Sequence, residues 1–299
     1  MLITVEYPVD GAAPELLTPE GISRVARRAD DLGYDAIAFT EHPAPTKEWL
    51  ESRAGHETLD VTTALAFCAA VTQRIRLMTY LLVLPYHNAF LAAKALGTVD
   101  RLSGGRLTVV AGTGYLPEEF EALGVDFDTR NERFDEALEV LRGAWSGSPV
   151  DHAGVHFRGH GIVQRPAPVQ AGGIPILIGG NSALARRRAA RNAGWSPILV
   201  TEQEVARQIR MPVMTVEGLS EMIAEIRDQA AGSGTSLLVQ VQSAHAYVLR
   251  RRLPTADHRE HLAQLRGAGV DSFVLKLPAE SLDAAVQGLE EYAATYRRY

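Results

Sequence analysis

The chain has 299 residues, 46% of them hydrophobic, with a net charge of −6 at pH 7 and a pI near 5.9. Such an apolar share supports a full core and excludes a disordered chain. The acidic balance, with no basic cluster on one face, argues against nucleic acid as the main partner. A single cysteine, Cys68, excludes an intrachain disulfide and suits a reducing cytoplasm.

The chain opens with MLITVEYP, which has neither a basic segment nor a long apolar run. No signal peptide and no membrane span are expected, and Leu2 to Tyr7 reads as a first strand. Ile22, Val25, Ala26, Ala29 and Leu32 then repeat at helical spacing. Ala36 to Thr40 is the second strand, followed by a helix through Leu65 and Val71. Leu77 to Leu84 is the third strand, apolar on both faces as a buried parallel strand should be. Its helix carries Leu96 and Val99 and ends at Leu102. A Ser103-Gly104-Gly105 turn leads into the fourth strand, Leu107 to Ala111, which opens directly into Gly112-Thr113-Gly114-Tyr115.

The fourth helix runs from about Arg130 to Trp145, with Phe134, Ala137, Leu138, Leu141 and Trp145 on one face. Between residues 146 and 173 the pattern breaks into Gly, Pro and His, an irregular insertion. Pro175 to Ile178 is the fifth strand, and Gly179-Gly180-Asn181-Ser182 opens a helix through Leu184 and Ala189. A sixth strand near Ile198, a helix from Val216 to Ala230 and a seventh strand from Leu237 to Ser243 follow. Helix seven includes Leu262 and Leu265, the eighth strand is Ser272 to Leu277, and Leu282 to Tyr296 closes the chain. Alternation of this kind, without a repeated dinucleotide fingerprint, favours a closed (β/α)8 TIM barrel over an open sheet. No interdomain linker is visible, so residues 1–299 read as one domain.

In such a barrel, residues just after strands face the active site and residues just before them serve stability. Ser103-Gly104-Gly105-Arg106 therefore falls on the structural side, its glycines ending a helix in a left-handed cap. Thr40-Glu41-His42-Pro43 lies at the mouth. An imidazole there titrates near neutral pH and suits proton transfer, which favours a functional His42 over one that merely meets water. Glu41, the second catalytic candidate, points to the opposite side and suits backbone or cofactor polar groups. Gly112-Thr113-Gly114 lets a flat ligand approach the backbone. Gly179-Gly180-Asn181-Ser182 either offers amides and a helix dipole to a phosphate or is an ordinary cap by Asn181 or Ser182. Tyr115 and Trp49 are the substrate candidates. His152, His156 and His160 have no carboxylate or cysteine set to complete a metal site, so no metal is expected. His258 and His261 read as exposed, Cys68 as buried and inert, and the arginine runs 186–188 and 250–252 as solvated faces.

Several stretches together resemble the luciferase-like monooxygenase superfamily, in the branch that uses coenzyme F420, an 8-hydroxy-5-deazaflavin. They are TEHP at Thr40 to Pro43, LLVLPYHN at Leu81 to Asn88, DRLSGGRL through RFDEALEVLRGAW, and Pro166-Ala167-Pro168-Val169-Gln170 followed by IPILIGGN. The resemblance implies a bacterial luciferase-like barrel with His42 beside the reactive ring and Glu41 nearby. It implies a non-prolyl cis bond at Leu81-Leu82, with Leu81, Leu82 and Val83 behind the ring. Gly112, Thr113 and Gly114 would line the ring, and Gly179 and Gly180, with Asn181 and Ser182, the phosphate. The chain departs from the pattern at Tyr115, where the family's sugar-phosphate dehydrogenases have an acid, and at Ala193, where an aspartate is usual. The loop after His87-Asn88 also lacks the usual proline. A sugar phosphate substrate is therefore disfavoured. The expectation is an F420-dependent oxidoreductase acting on a small organic molecule, cytoplasmic and homodimeric. The rivals are an FMN-dependent monooxygenase supplied with reduced flavin and a flavin-binding barrel without catalysis.

Overall fold

A computed structural model describes residues 1–52, 55–208, 212–231 and 237–296. In chain order its strands are β1 (Leu2–Glu6), β2 (Ala36–Phe39), β3 (Arg76–Thr79), β4 (Leu82–Val83), β5 (Leu107–Gly112), β6 (Val150–Ala153), β7 (Arg158–Ile162), β8 (Ile176–Gly179), β9 (Gly194–Ser196), β10 (Ile198–Leu199), β11 (Leu238–Ser243) and β12 (Ser272–Lys276). Contacts gather into two compact units, one of Met1–Pro8, Ala12–Ala38 and Ile176–Tyr299, the other of Val9–Gly11 and Phe39–Pro175.

In the first unit β1 lies parallel between β12 and β2, with Leu2 opposite Ser272 and Thr4 opposite Ala36. β11 pairs with β12, β10 and β9, and β9 pairs with β8, all parallel. The helix Pro19–Asp31 starts where the Thr18 hydroxyl accepts from the Gly21 amide and Pro19 takes the first helical position. It buries Ile22, Val25, Ala26 and Ala29, the face that the spacing predicts. The Thr4 hydroxyl donates to Gln240 Oε1 at 2.9 Å and meets Ser272 at 3.2 Å, so the polar groups between these strands answer one another. The arginine run 186–188 departs from expectation at Arg188, which is buried.

In the second unit β3 and β4 both lie parallel to β5, with Leu82 opposite Ala111 and Val83 opposite Gly112. The expected third strand is therefore broken in two, and Leu84–Tyr86 forms a 3-10 turn. The break coincides with a non-prolyl cis bond at Tyr80-Leu81, one residue before the expected Leu81-Leu82 position. Helices Val61–Val71, Ala89–Leu102 and Arg130–Trp145 pack here, and the Trp145 indole donates to Ala93 O at 3.0 Å.

The block from Asp100 to Leu107 has the structural role assigned to it. Gly104 and Gly105 have φ of 67° and 85°, the left-handed region that a glycine turn supplies. The Arg106 guanidinium donates to Thr72 Oγ1 and to the carbonyls of Ser103, Ala69, Thr72 and Ile75, tying the end of Val61–Val71 to the start of β5. The fully buried Asp100 carboxylate accepts from the amides of Val169 and Gln170 and from the Gln170 side chain. That accounts for the Pro-Val-Gln motif seventy residues away.

The insertion is more regular than its composition suggests. β6 and β7 form an antiparallel hairpin, Val150 opposite Ile162 and Ala153 opposite Arg158. Glu136, on the helix beneath, accepts from the His156 and Phe157 amides at 2.9 and 2.7 Å and meets His152 Nε2 at 3.1 Å. Burial pushes the Glu136 carboxyl up, yet those amide bonds and His152 bring it below its ordinary value, so it holds the hairpin as an anion. His160 pairs with Asp151 at 2.7 Å on the exposed side. Among the described residues, no group of three or more His, Cys, Asp or Glu is placed to hold a metal ion. Cys68 is fully buried, and burial raises its thiol to about 12, as expected of an inert core cysteine. Among the described residues no helix is long and apolar enough to cross a membrane.

Candidate functional site

His42 follows β2 and sits on a short segment clamped by a reciprocal pair of bonds. Its amide donates to Thr58 Oγ1 at 3.2 Å, and the Thr58 hydroxyl donates back to the His42 carbonyl at 2.9 Å. The ring lies 4.2 Å from the Trp49 ring, 5.1 Å from His56 and 5.9 Å from Tyr115, the last two edge-on. Both substrate candidates therefore stand around the imidazole. Trp49 is half-buried on the helix Lys47–Leu50, Tyr115 is 62% exposed, and their side chains share a hydrogen bond. Asp10 lies 3.6 Å behind His56.

His42 Nδ1 is 3.1 Å from Glu119 Oε2, and Glu119 is 1% exposed. The Tyr86 hydroxyl donates to the same oxygen at 2.8 Å, and the Ala44 amide to Oε1 at 3.3 Å. Burial alone pushes the Glu119 carboxyl up. The bonds from His42 and Tyr86 and the His42 charge outweigh it and hold the group below its ordinary value. Tyr86 moves the other way: burial and the adjoining carboxylate raise its phenol, so it stays a donor. Its ring packs 4.6 Å from Phe120 in a buried cluster with Val83.

Glu41 is turned away from His42 and fully engaged. Its Oε2 accepts from the Val83 amide at 2.6 Å and its Oε1 meets His87 Nε2 at 2.9 Å. Burial lowers the His87 imidazole, but Glu41 and the charge on Asp60 raise it overall. The backbone partner expected for Glu41 is present. A part in the chemistry is not favoured by a carboxylate that fixes the turn after the Tyr80-Leu81 bond.

Of the residues assigned to the ring, Leu82 and Val83 are buried within the unit, and Leu81 is half-buried. The glycines have intramolecular reasons to be small. A Cβ at Gly112 would meet Leu81 Cδ1 at 2.6 Å. One at Gly114, whose φ is +76°, would meet Val83 Cγ1 at 2.7 Å and Phe120 Cε2 at 2.8 Å. Thr113 between them is half-buried. Gly114→Ala is expected to destabilise the fold by about 1–3 kcal/mol, since it adds overpacking to backbone strain. A midpoint of chemical denaturation unchanged from wild type would refute this.

In the other unit, Ser182 caps the helix Ala183–Ala189 by accepting from the Ala185 amide at 3.1 Å. Asn181 donates to Ile198 O and accepts from Ile198 N, bridging the turn to β10. Both side chains are thus engaged by the protein, which favours the ordinary-cap reading for them. The Gly180 amide also donates, to Ser196 O at 3.3 Å, so a phosphate at this turn would compete with the protein for it. Gly180 has φ of +104°, so Gly180→Val would strain the backbone whatever ligand is near. That substitution does not isolate ligand binding.

Glu119, Tyr86, His56 and His87 were not reached from sequence. Glu119 is one of two adjacent carboxylates in the first turn of Pro117–Ala122, five residues beyond Gly114. Sequence does not say whether Glu118 or Glu119 turns inward; the buried Phe120 beside it was the available hint.

The strand end beside His42 is one that a flat ring could approach. The second unit offers a half-buried leucine, a glycine-lined strand end and an imidazole backed by a buried anion. The chain matches the luciferase-like monooxygenase family model over residues 2–298. An uncharacterized Mycobacterium tuberculosis protein is 37% identical over 185 residues, 57% of this chain and 62% of that one. The FMNH2-dependent dimethylsulfone monooxygenase of Pseudomonas putida is 30% identical over 199 residues, 66% of this chain and 49% of that one. The F420-dependent glucose-6-phosphate dehydrogenase of Nocardia farcinica is 30% identical over 188 residues, 60% and 53% of the two chains. The chain thus spans about half to three fifths of the length of these relatives. Among solved structures, the monooxygenase RslO1 of Streptomyces bottropensis superposes with a TM-score of 0.80 and 21% identity over 99% of both chains. The fold is the closed, eight-stranded parallel barrel with surrounding helices that the alternation predicts. The chain belongs to the luciferase-like monooxygenase family.

Proposed function

We propose that this protein is an F420-dependent oxidoreductase that moves a hydride between the deazaflavin and a small organic substrate. A deazaflavin supplies two-electron hydride chemistry when bound, with carbon where a flavin has N5. What the chain supplies is binding, orientation and a proton. The observation that carries the reading is His42 held through Nδ1 on the buried Glu119, with Trp49 and Tyr115 around its ring. An imidazole so placed takes the proton from an alcohol as it is oxidised, or returns one to a reduced C=C or C=N bond. Leu81 and the glycine backbone at 112–114 would meet the ring face, and the turn from Gly179 to Ser182 the phosphate. The departures at Tyr115 and Ala193 support a substrate other than a sugar phosphate.

Fluorescence titration with F420 and with FMN tests the cofactor. F420 is expected to bind more tightly. Micromolar FMN binding with no detectable F420 binding would overturn the proposal and favour the reduced-flavin monooxygenase, the reading that the P. putida relative supports.

A further inference from the structure

The geometry points to Glu119 as a positioning residue that sets the tautomer of His42, leaving Nε2 as the unprotonated nitrogen when the ring is neutral. The inference rests on the proposal that His42 handles the substrate's proton, and it adds the direction from which that proton is taken.

A buried carboxylate that is ionised can only accept hydrogen bonds. Glu119 Oε2 already takes the Tyr86 hydroxyl at 2.8 Å, and Oε1 the Ala44 amide at 3.3 Å. The remaining contact, at 3.1 Å, is to His42 Nδ1. That contact is a hydrogen bond only if Nδ1 carries hydrogen. Were the proton on Nε2 instead, a bare nitrogen lone pair would face a bare carboxylate at 1% exposure. Repulsion of that kind in a buried site costs more than the small preference that a free imidazole has for either tautomer.

The packing leaves the ring little freedom to escape. Trp49 covers one face at 4.2 Å, and the Thr58 pair fixes the backbone at the Cα. Glu119 is itself held on Pro117–Ala122 by Phe120, which packs on Tyr86. The chain Tyr86–Glu119–His42 therefore orients one nitrogen inward and presents the other for exchange. In proton terms, Nε2 accepts hydrogen from a substrate hydroxyl while the Nδ1 hydrogen stays with His42, leaving imidazolium beside the carboxylate. The reverse step gives the Nε2 proton back. Glu119 never takes the proton; it removes the wrong starting form and steadies the charged one.

The test needs neither cofactor nor substrate, so its failure is separable from failure of the F420 reading. Ring ¹⁵N shifts of His42 in the whole protein, labelled at histidine, report the tautomer at a pH where the ring is neutral. A His42→Asn spectrum assigns the signal. Wild type is expected to show Nδ1–H. Glu119→Leu, which cannot accept, is expected to shift the ring to predominantly Nε2–H. Glu119→Gln, which keeps the shape and can still accept from Tyr86, guards against loss of fold and is expected to show a mixture. Turnover is then expected to fall with the Nδ1–H population, by about 10- to 10,000-fold, at unchanged cofactor affinity. An Nε2–H signal in wild type overturns the inference outright. So does an Nδ1–H signal that persists in a folded Glu119→Leu protein at full strength.

Discussion

His42→Ala is expected to lower turnover about 100- to 10,000-fold, the range lost when a general acid or base is removed. Cofactor affinity is expected to stay within a few-fold of wild type, because the ring contacts proposed here come from Leu81 and the glycine backbone. The fold is expected to survive as well. The His42 backbone is held by Thr58, not by the imidazole, and Glu119 keeps its bonds from Tyr86 and Ala44. The loss should therefore appear in kcat rather than in the cofactor dissociation constant. A purified His42→Ala protein that binds cofactor and turns over at the wild-type rate would remove His42 from the chemistry. It would leave the tautomer measurement on wild type untouched.

Position along the chain is enough to nominate His42 but not to show what holds it. Barrel logic sends residues after strands to one end, and TEHP follows the second strand at once. Glu119 lies beyond the fourth strand, on a six-residue helix where Glu118, Glu119 and Glu121 are equally plausible from spacing. Which of them turns inward depends on how Phe120 packs, a tertiary fact. The same limit applies to Glu41. The alternation of strand residues gave its direction, away from His42, and the structure shows the Val83 amide and His87 as its partners.

Register was the other thing that sequence could not supply. The third strand reads as one apolar run from Leu77 to Leu84, because every residue in it suits burial. The structure ends the strand at Thr79, resumes it at Leu82 and puts the cis bond at Tyr80-Leu81. A run that is apolar on both faces carries no alternation, so nothing in it marks a break or a one-residue offset. The insertion failed for the opposite reason. Its glycines and histidines suggested irregularity, yet the hairpin is fixed from outside by Glu136, a helix residue that no local pattern connects to residues 152–157.

His258 is the largest departure from the sequence reading. The polar neighbours in Thr255 to Leu262, TADHREHL, suggest an exposed helix face, but His258 is 0% exposed. It meets His245 Nδ1 at 3.3 Å and the Tyr292 hydroxyl at 3.1 Å, with Phe273 and Tyr296 edge-on. His261 stacks on His245 at 4.0 Å and bonds Ser243 at 2.8 Å. Burial, with the charge of its two neighbours, pulls the His258 imidazole down to about 3. Burial and His245 bring His261 to about 4. Burial also lowers His245, helped by Arg251 and opposed by Asp257.

In the unfolded chain these rings titrate near 6.5. Between that value and the folded ones, the unfolded state binds protons that the folded state refuses, so stability falls as pH falls. The contribution is complete above about 6.5 and is lost progressively towards 3. His87 runs oppositely: its raised value means that its contribution is fully present below about 6.5, so it adds no slope on the acid side. For His258 alone the expected loss is about 1.4 kcal/mol per pH unit, or about 2 kcal/mol between pH 6.5 and 5. Denaturant unfolding across that window, above the range where carboxylates titrate, isolates the histidines. His258→Phe keeps a ring in the space between Tyr292 and Phe273 and removes the proton site. Its stability is expected to fall less steeply with acid by about that amount, even if it starts lower because the Tyr292 hydroxyl loses its partner. Parallel pH profiles for wild type and His258→Phe would show that His258 is protonated as easily folded as unfolded, and would overturn the buried, neutral cluster.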